Sequence, residues 1–128
     1  MEAACKGASE ADGLTIGVLP DSDRGAMNAY VKIPIVTGIG RARNLTIALT
    51  ADAVVAVDGG YGTLSEIAFA LQHGKPVAGL GTWRIASDAG EAVPVFRAAD
   101  AVEAVAWASK AAAGDLTPAP SPSHGEGY

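Results

Sequence analysis

Short apolar runs alternate along the chain with segments whose apolar residues recur at helical spacing. Leu14-Thr15-Ile16-Gly17-Val18-Leu19 is a compact run stopped by Pro20, which predicts a buried strand. Tyr30 to Thr37 is a second such run. It contains Pro34, which has no amide donor, so a short or edge strand is expected there. Ala53-Val54-Val55-Ala56-Val57 is the plainest strand, and Pro76 to Leu80 and Val93 to Phe96 follow it. Helices are expected over 1–11, 41–50, 63–73 and 99–113. The first, stopped by Gly13, carries Cys5 as a small buried residue. The second is marked by Leu45, Ile47, Ala48 and Leu49. The third places Leu64, Ile67, Ala68 and Leu71 on one face, with Gly74 as its terminating residue and Pro76 just beyond. The fourth would turn Ala101, Val102, Val105, Ala106 and Ala113 toward the core. Residues 20–29 and 81–92 read as loops, the latter holding Trp83 and Arg84.

Strands alternating with helices predict a parallel sheet in a three-layer α/β sandwich. A βαβ unit has a strand on each side of its helix, yet this chain opens in a helix. Helix 1–11 is therefore expected at a sheet edge, or after a strand lying upstream of Met1, so that the sandwich lacks its first strands. Residues 1–113 are expected to form one domain. From Gly114 onward the chain is rich in Pro, Ser and Gly, too poor in apolar residues to offset the entropy of ordering. The segment 114–128 is expected to be a disordered tail.

Composition narrows the class. The chain has 128 residues, of which 49% are apolar and 18% charged, so most of it should fold. A net charge of -5 argues against a general nucleic-acid or anionic-membrane binder, both of which need clustered Lys and Arg. No apolar run approaches the ~18 residues of a membrane span. No basic segment followed by an apolar one marks a signal peptide, and a cytoplasmic location is expected. Cys5 is the single cysteine, so neither an internal disulfide nor a metal site is expected. The 16 glycines are about twice the usual share and lie beside apolar runs, which predicts tight strand-to-helix turns.

The candidate chemistry gathers where the plainest strand meets the plainest helix. Gly59-Gly60-Tyr61-Gly62-Thr63 lies between them. Glycines let backbone approach a ligand closely, and the helix behind them offers unpaired N–H groups and a positive dipole end. That combination is an anion site, commonly for phosphate. Gly60 is expected to be the glycine that adopts a left-handed backbone there. Neither the Walker pattern nor the Gly-x-Gly-x-x-Gly spacing is present. Thr63-Leu64-Ser65-Glu66 has the form of a capping box, in which Thr63 accepts from the Glu66 amide and Glu66 reaches back. The local pattern favours the cap; the other reading of Glu66 is a carboxylate facing a ligand at the lip of the phosphate site. From Arg24 through Ala51 there is no acid, but Arg24, Lys32, Arg41 and Arg43 fall there. Cations at a helix start oppose its dipole, which points to an anionic partner or to a solvated basic face.

Gly59-Gly60-Tyr61-Gly62-Thr63-Leu64-Ser65-Glu66 resembles the Gly-Gly-x-Gly-Thr-x-x-Glu motif of the LONELY GUY-like (SLOG) superfamily. Arg43, nine residues before Asp52 in Ala51-Asp52-Ala53, matches the spacing of that family's arginine to its Ala-Asp-Ala. Thr37-Gly38-Ile39-Gly40-Arg41-Ala42-Arg43-Asn44 is similar to the branch of molybdenum-cofactor carriers and related nucleotide-binding proteins. The resemblance implies a Rossmann-like fold, a homodimer, and a small phosphorylated ligand: the molybdenum cofactor or a nucleoside monophosphate. It implies Gly59, Gly60, Tyr61, Gly62, Thr63, Thr37, Gly38 and Asn44 as binding residues. In the hydrolase branch, Arg43 and Glu66 match the catalytic arginine and glutamate that cleave the N-glycosidic bond of nucleoside 5′-monophosphates. That branch carries Lys where Asn44 stands and Pro where Asp58 stands. The leading expectation is therefore carrier-like binding of a nucleotide or pterin phosphate. The alternatives are a phosphoribohydrolase using Arg43 and Glu66, and an inactive remnant lacking the family's first βαβ segment.

Overall fold

The structure, a computed structural model, describes residues 1–115. The chain has an α/β, Rossmann-like fold of parallel strands flanked by helices, divided into two compact units, Met1–Arg43 and Asn44 onward.

The first unit contains α1 (Glu2–Glu10), β1 (Ile16–Leu19) and β2 (Ile33–Val36). β1 and β2 pair in parallel with Ile16 opposite Ile33 and Leu19 opposite Val36. In a two-stranded sheet both strands are edges, which accommodates Pro34. Side chains fasten the crossover between them. Thr15 is buried; its hydroxyl donates to the Tyr30 carbonyl (2.6 Å) and accepts from the Lys32 amide (2.9 Å). Gly17 leaves room for Val31, since a Cβ there would stand 2.9 Å from Val31 Cγ1. α1 buries no residue, so Cys5 is half-buried instead of sealed in a core. The helix ends with Asp12 at φ +58, not with Gly13, and the Gly13 amide closes the cap on the Ala8 carbonyl (2.7 Å). A short 3-10 turn, Gly40–Ala42, leads into α2 (Arg43–Thr50).

The second unit holds most of α2, then β3 (Val54–Val57), α3 (Tyr61–Gln72), β4 (Val77–Leu80), β5 (Val95–Arg97) and α4 (Ala101–Ala112). The sheet order is β3-β4-β5, all parallel. Val77, Ala78 and Gly79 of β4 are buried in succession, as expected for a central strand covered on both faces. On one face Ile67 and Ala70 of α3 join Ala48, Ala56 and Val77 in a core cluster. On the other, Trp107 of α4 stacks on Phe96, which pairs with Ala78 across the sheet (centroids 4.9 Å, planes 2° apart). This unit is the expected three-layer sandwich in miniature.

Two expected helix faces are corrected. α4 buries Ala104, Ala108 and Ala111, while Val102 and Val105 are 80% and 57% exposed. The helix is apolar nearly all round, so periodicity could not choose; small alanines admit the close approach of helix to sheet. In α3 Ile67 and Ala70 are buried and Ala68 is exposed. α3 and α4 end alike. Gly74 (φ +71) and Gly114 (φ +79) are left-handed, and the next amides return to the carbonyls of Ala70 (2.8 Å) and Lys110 (2.9 Å). Gly114 and Asp115, the first residues of the expected tail, thus complete the cap of α4. Residues 116–128 of that segment lie outside the described residues.

Candidate functional site

β3 and β4 are parallel neighbours, so the loops that leave their C-terminal ends emerge side by side. The first is the glycine turn 58–60, the second runs from Gly81 through Trp83. They are tied at two points. Thr82 Oγ1 donates to the Asp58 carbonyl (2.6 Å), and Trp83 Nε1 donates to the Gly60 carbonyl (3.0 Å). Arg97 donates in turn to the carbonyls of Trp83 and Thr82, the latter at 3.5 Å. A Cβ on Gly79 would stand 2.8 Å from Thr82 Cγ2, so glycine on β4 lets this loop fold down onto the strand.

The turn itself is strained in a defined way. Asp58 sits at φ +51 and Gly59 at φ +118. A Cβ on Gly59 would fall 2.2 Å from Thr63 Oγ1 and 2.3 Å from Thr63 Cβ. Glycine is required at Gly59 both by conformation and by space. Gly60, the glycine expected to be left-handed, has φ -93 and nothing within 4 Å of its ideal Cβ.

Gly60 is the N-cap of α3, and among the described residues no side chain caps the helix. Thr63 is therefore not the N-cap that the capping box expected at Thr63–Glu66 requires: it is already in the first turn, and Glu66, half-buried, lies a turn further in. The capping arrangement occurs instead at Asp100, whose carboxylate accepts from the Glu103 amide (2.8 Å) at the start of α4. The Asp-x-x-Glu spacing at 100–103 was the signal for it. With no side chain on its first amides, the α3 terminus keeps donors and dipole for another acceptor.

Beside that terminus, Tyr61 stacks on Trp83 with ring centroids 5.9 Å apart and planes 23° from parallel. Tyr61 is 80% exposed, so its outer face is open. Trp83 is the functional candidate that sequence reasoning left in a loop. Its signal was an aromatic residue at the carboxyl end of a strand adjacent to the glycine turn, but adjacency is a property of the sheet.

Asn44 is buried, and its side-chain amide donates to Ser65 Oγ (2.9 Å) and toward the Gly62 carbonyl (3.5 Å). It braces the first turn of α3 from α2. Asn44, Gly59–Thr63 and Glu66 all belong to the second unit. Thr37, Gly38 and Arg43 belong to the first, so the Arg43–Glu66 pair is divided between units. Thr37 donates to the Leu19 carbonyl (2.6 Å), Gly38 turns at φ +65, and the Arg43 guanidinium donates to the Val18 carbonyl. Lys32 donates to the Gly13 carbonyl (2.9 Å). Two of the four cations of the acid-free stretch are thus engaged with backbone.

The model of the SLOG cluster4 family matches residues 1–110. An uncharacterized protein of Archaeoglobus fulgidus is 48% identical over 80 residues, 62% of this chain and 52% of its own length. The molybdenum cofactor binding protein of Rippkaea orientalis is 36% identical with a TM-score of 0.62, over 96% of this chain and 64% of that one. The Moco carrier protein of Chlamydomonas reinhardtii is 44% identical with a TM-score of 0.72, over 89% and 71%. The chain thus spans about half the length of the curated relative it matches and under two thirds of the Rippkaea protein.

Proposed function

Because the chain belongs to the SLOG cluster4 family, we propose that it binds a phosphorylated planar heterocycle in the manner of a carrier, with the molybdenum cofactor as the leading ligand. The observation that carries this reading is the uncapped N-terminus of α3 behind Gly59 and Gly60, with the open face of Tyr61 beside it. The phosphate would sit on the first amides of α3, where a negative charge gains about 0.3–1 kcal/mol from the dipole alone. The pterin ring would lie on Tyr61, where stacking adds about 0.5–1.5 kcal/mol beyond area burial. Trp83 holds Tyr61 from behind and the turn from the side. Similarity to proteins named for binding or carrying the molybdenum cofactor supports the choice of ligand. A nucleoside monophosphate offers the same pairing of phosphate and flat ring and is the competing ligand.

Carrying is favoured over cleavage by the state of Arg43. The hydrolase reading needs that guanidinium at a ribose, and here it is engaged with the Val18 carbonyl. Calorimetry with inorganic phosphate, AMP and a pterin phosphate tests binding, with Gly59→Ala as the control that should lose it. Equal affinity in both chains would overturn the site. Release of free base from AMP, lost in Glu66→Gln, would replace the carrier reading by the phosphoribohydrolase one. We further propose a homodimer: Leu49 of α2 and Val102 and Val105 of α4 are 48%, 80% and 57% exposed. Light scattering that gives only monomer at tens of micromolar would overturn it.

A further inference from the structure

Between the loop after β4 and strand β5 lies a hollow of about 260 Å³ that the glycine-turn site does not use. Its walls are apolar, with Ile85, Val93 and Val95 the largest side chains, except for two guanidiniums, Arg84 and Arg97. No Asp or Glu lines it. Among the described residues neither arginine is in an ion pair with a carboxylate.

The two arginines differ in what explains them. Arg97 has a structural task, since it holds the carbonyls of Thr82 and Trp83. A guanidinium has five N–H donors, so that task does not exhaust it. Arg84 is exposed and has no such task. It nevertheless stands near enough to Arg97 to be felt: burial first, and then the Arg84 charge, hold the Arg97 guanidinium below its ordinary pKa. Two like charges brought to one apolar hollow without an acid repel each other, and an oxyanion between them would turn that repulsion into two attractions. The planar fork of arginine suits carboxylate and phosphate in particular. The hollow is smaller than the ~300–1,000 Å³ of pockets for drug-sized molecules, so its ligand is small.

We propose that the Arg84–Arg97 hollow is a second ligand site, which takes the carboxylate or phosphate group of a small organic acid and lays its short carbon skeleton on Ile85, Val93 and Val95. This site is independent of the reading given for the glycine turn.

The test is a residue-resolved NMR titration of the full chain with two probes, isobutyrate and inorganic phosphate. Amides of residues 84–86 and 92–97 should shift saturably with at least one probe. The tighter probe identifies the anion class. Arg84→Gln should weaken that binding about tenfold or more, the worth of one charge-assisted hydrogen bond, and Arg84→Lys by less. Arg84 is exposed, so neither variant threatens the fold, and the unperturbed spectrum elsewhere verifies this. Arg97 is left intact because it anchors the loop. Shifts at 84–97 that grow linearly with both probes, or saturable shifts that Arg84→Gln leaves unchanged, would overturn the proposal. Phosphate shifts at 59–63 report on the glycine turn separately, so either site can fail without the other.

Discussion

The two units are built from the same kind of strand but held by different forces. In the second, β4 is sealed between helices, and Ile67, Ala70, Val77, Ala78 and Ala104 are 0% exposed. In the first, only Leu19 and Val31 are buried hydrophobics, and Ile16, Ile33, Ile35 and Val36 are 40–53% exposed. What holds the first unit together is a set of side-chain-to-backbone bonds: Thr15 to Tyr30 and Lys32, Thr37 to Leu19, Lys32 to Gly13, Arg43 to Val18. Hydrophobic burial is non-directional and scales with area, whereas these bonds are local and each worth about 0.5–1.5 kcal/mol net. Apolar sequence alone does not make a core; a strand becomes one when elements cover both its faces.

This contrast can be broken by substitution. Ile67→Ala should have the largest effect, about 2–5 kcal/mol lost in a denaturant melt, because it opens a cavity in the centre of the second unit. Gly59→Ala comes next. The strained φ alone costs about 1–3 kcal/mol, and the overlap with Thr63 must be relieved by moving the turn. The same variant should lose phosphate affinity by calorimetry, whereas Ile67→Ala should lose stability before affinity. Thr15→Val tests the polar bracing of the first unit. It keeps the shape but strands the Tyr30 carbonyl and leaves the Lys32 amide only its 3.2 Å bond to the Thr15 carbonyl, at about 1–3 kcal/mol. Ile35→Thr, on the exposed side of β2, should change the melt by no more than about 0.5 kcal/mol. Amide exchange sharpens the comparison without mutation: Val77–Leu80 should be among the slowest amides and Ile33–Val36 markedly faster. Equal protection in the two strands would mean that burial does not separate the units.

Much of the fold was legible because its signals are local. Pro20, Gly74 and Pro76 stand at element ends, and the short apolar runs beside them became strands. The glycine turn was legible for the same reason, as strand, glycines and helix are contiguous in the chain. The faces of α4 were not. In Ala-Val-Glu-Ala-Val-Ala-Trp-Ala nearly every position is apolar, and the surface of the sheet chose the alanines. The misplaced capping box has a related cause. Thr63 has the right spacing to Glu66, but the helix begins two residues earlier, at Tyr61. A spacing motif does not mark where the first helical turn closes.

The sequence by itself determined the alternation of strand and helix, the place of the glycine turn and the family, because each is written in residues close together along the chain. Tertiary structure alone decided that Trp83 stands behind Tyr61, that Asn44 braces α3, and that Arg84 and Arg97 share one hollow. Those residues lie 13 to 22 positions apart along the chain. They meet because parallel pairing of β3, β4 and β5 stacks the loops at one edge of the sheet and α2 packs beside α3. No local pattern records which strand will be whose neighbour.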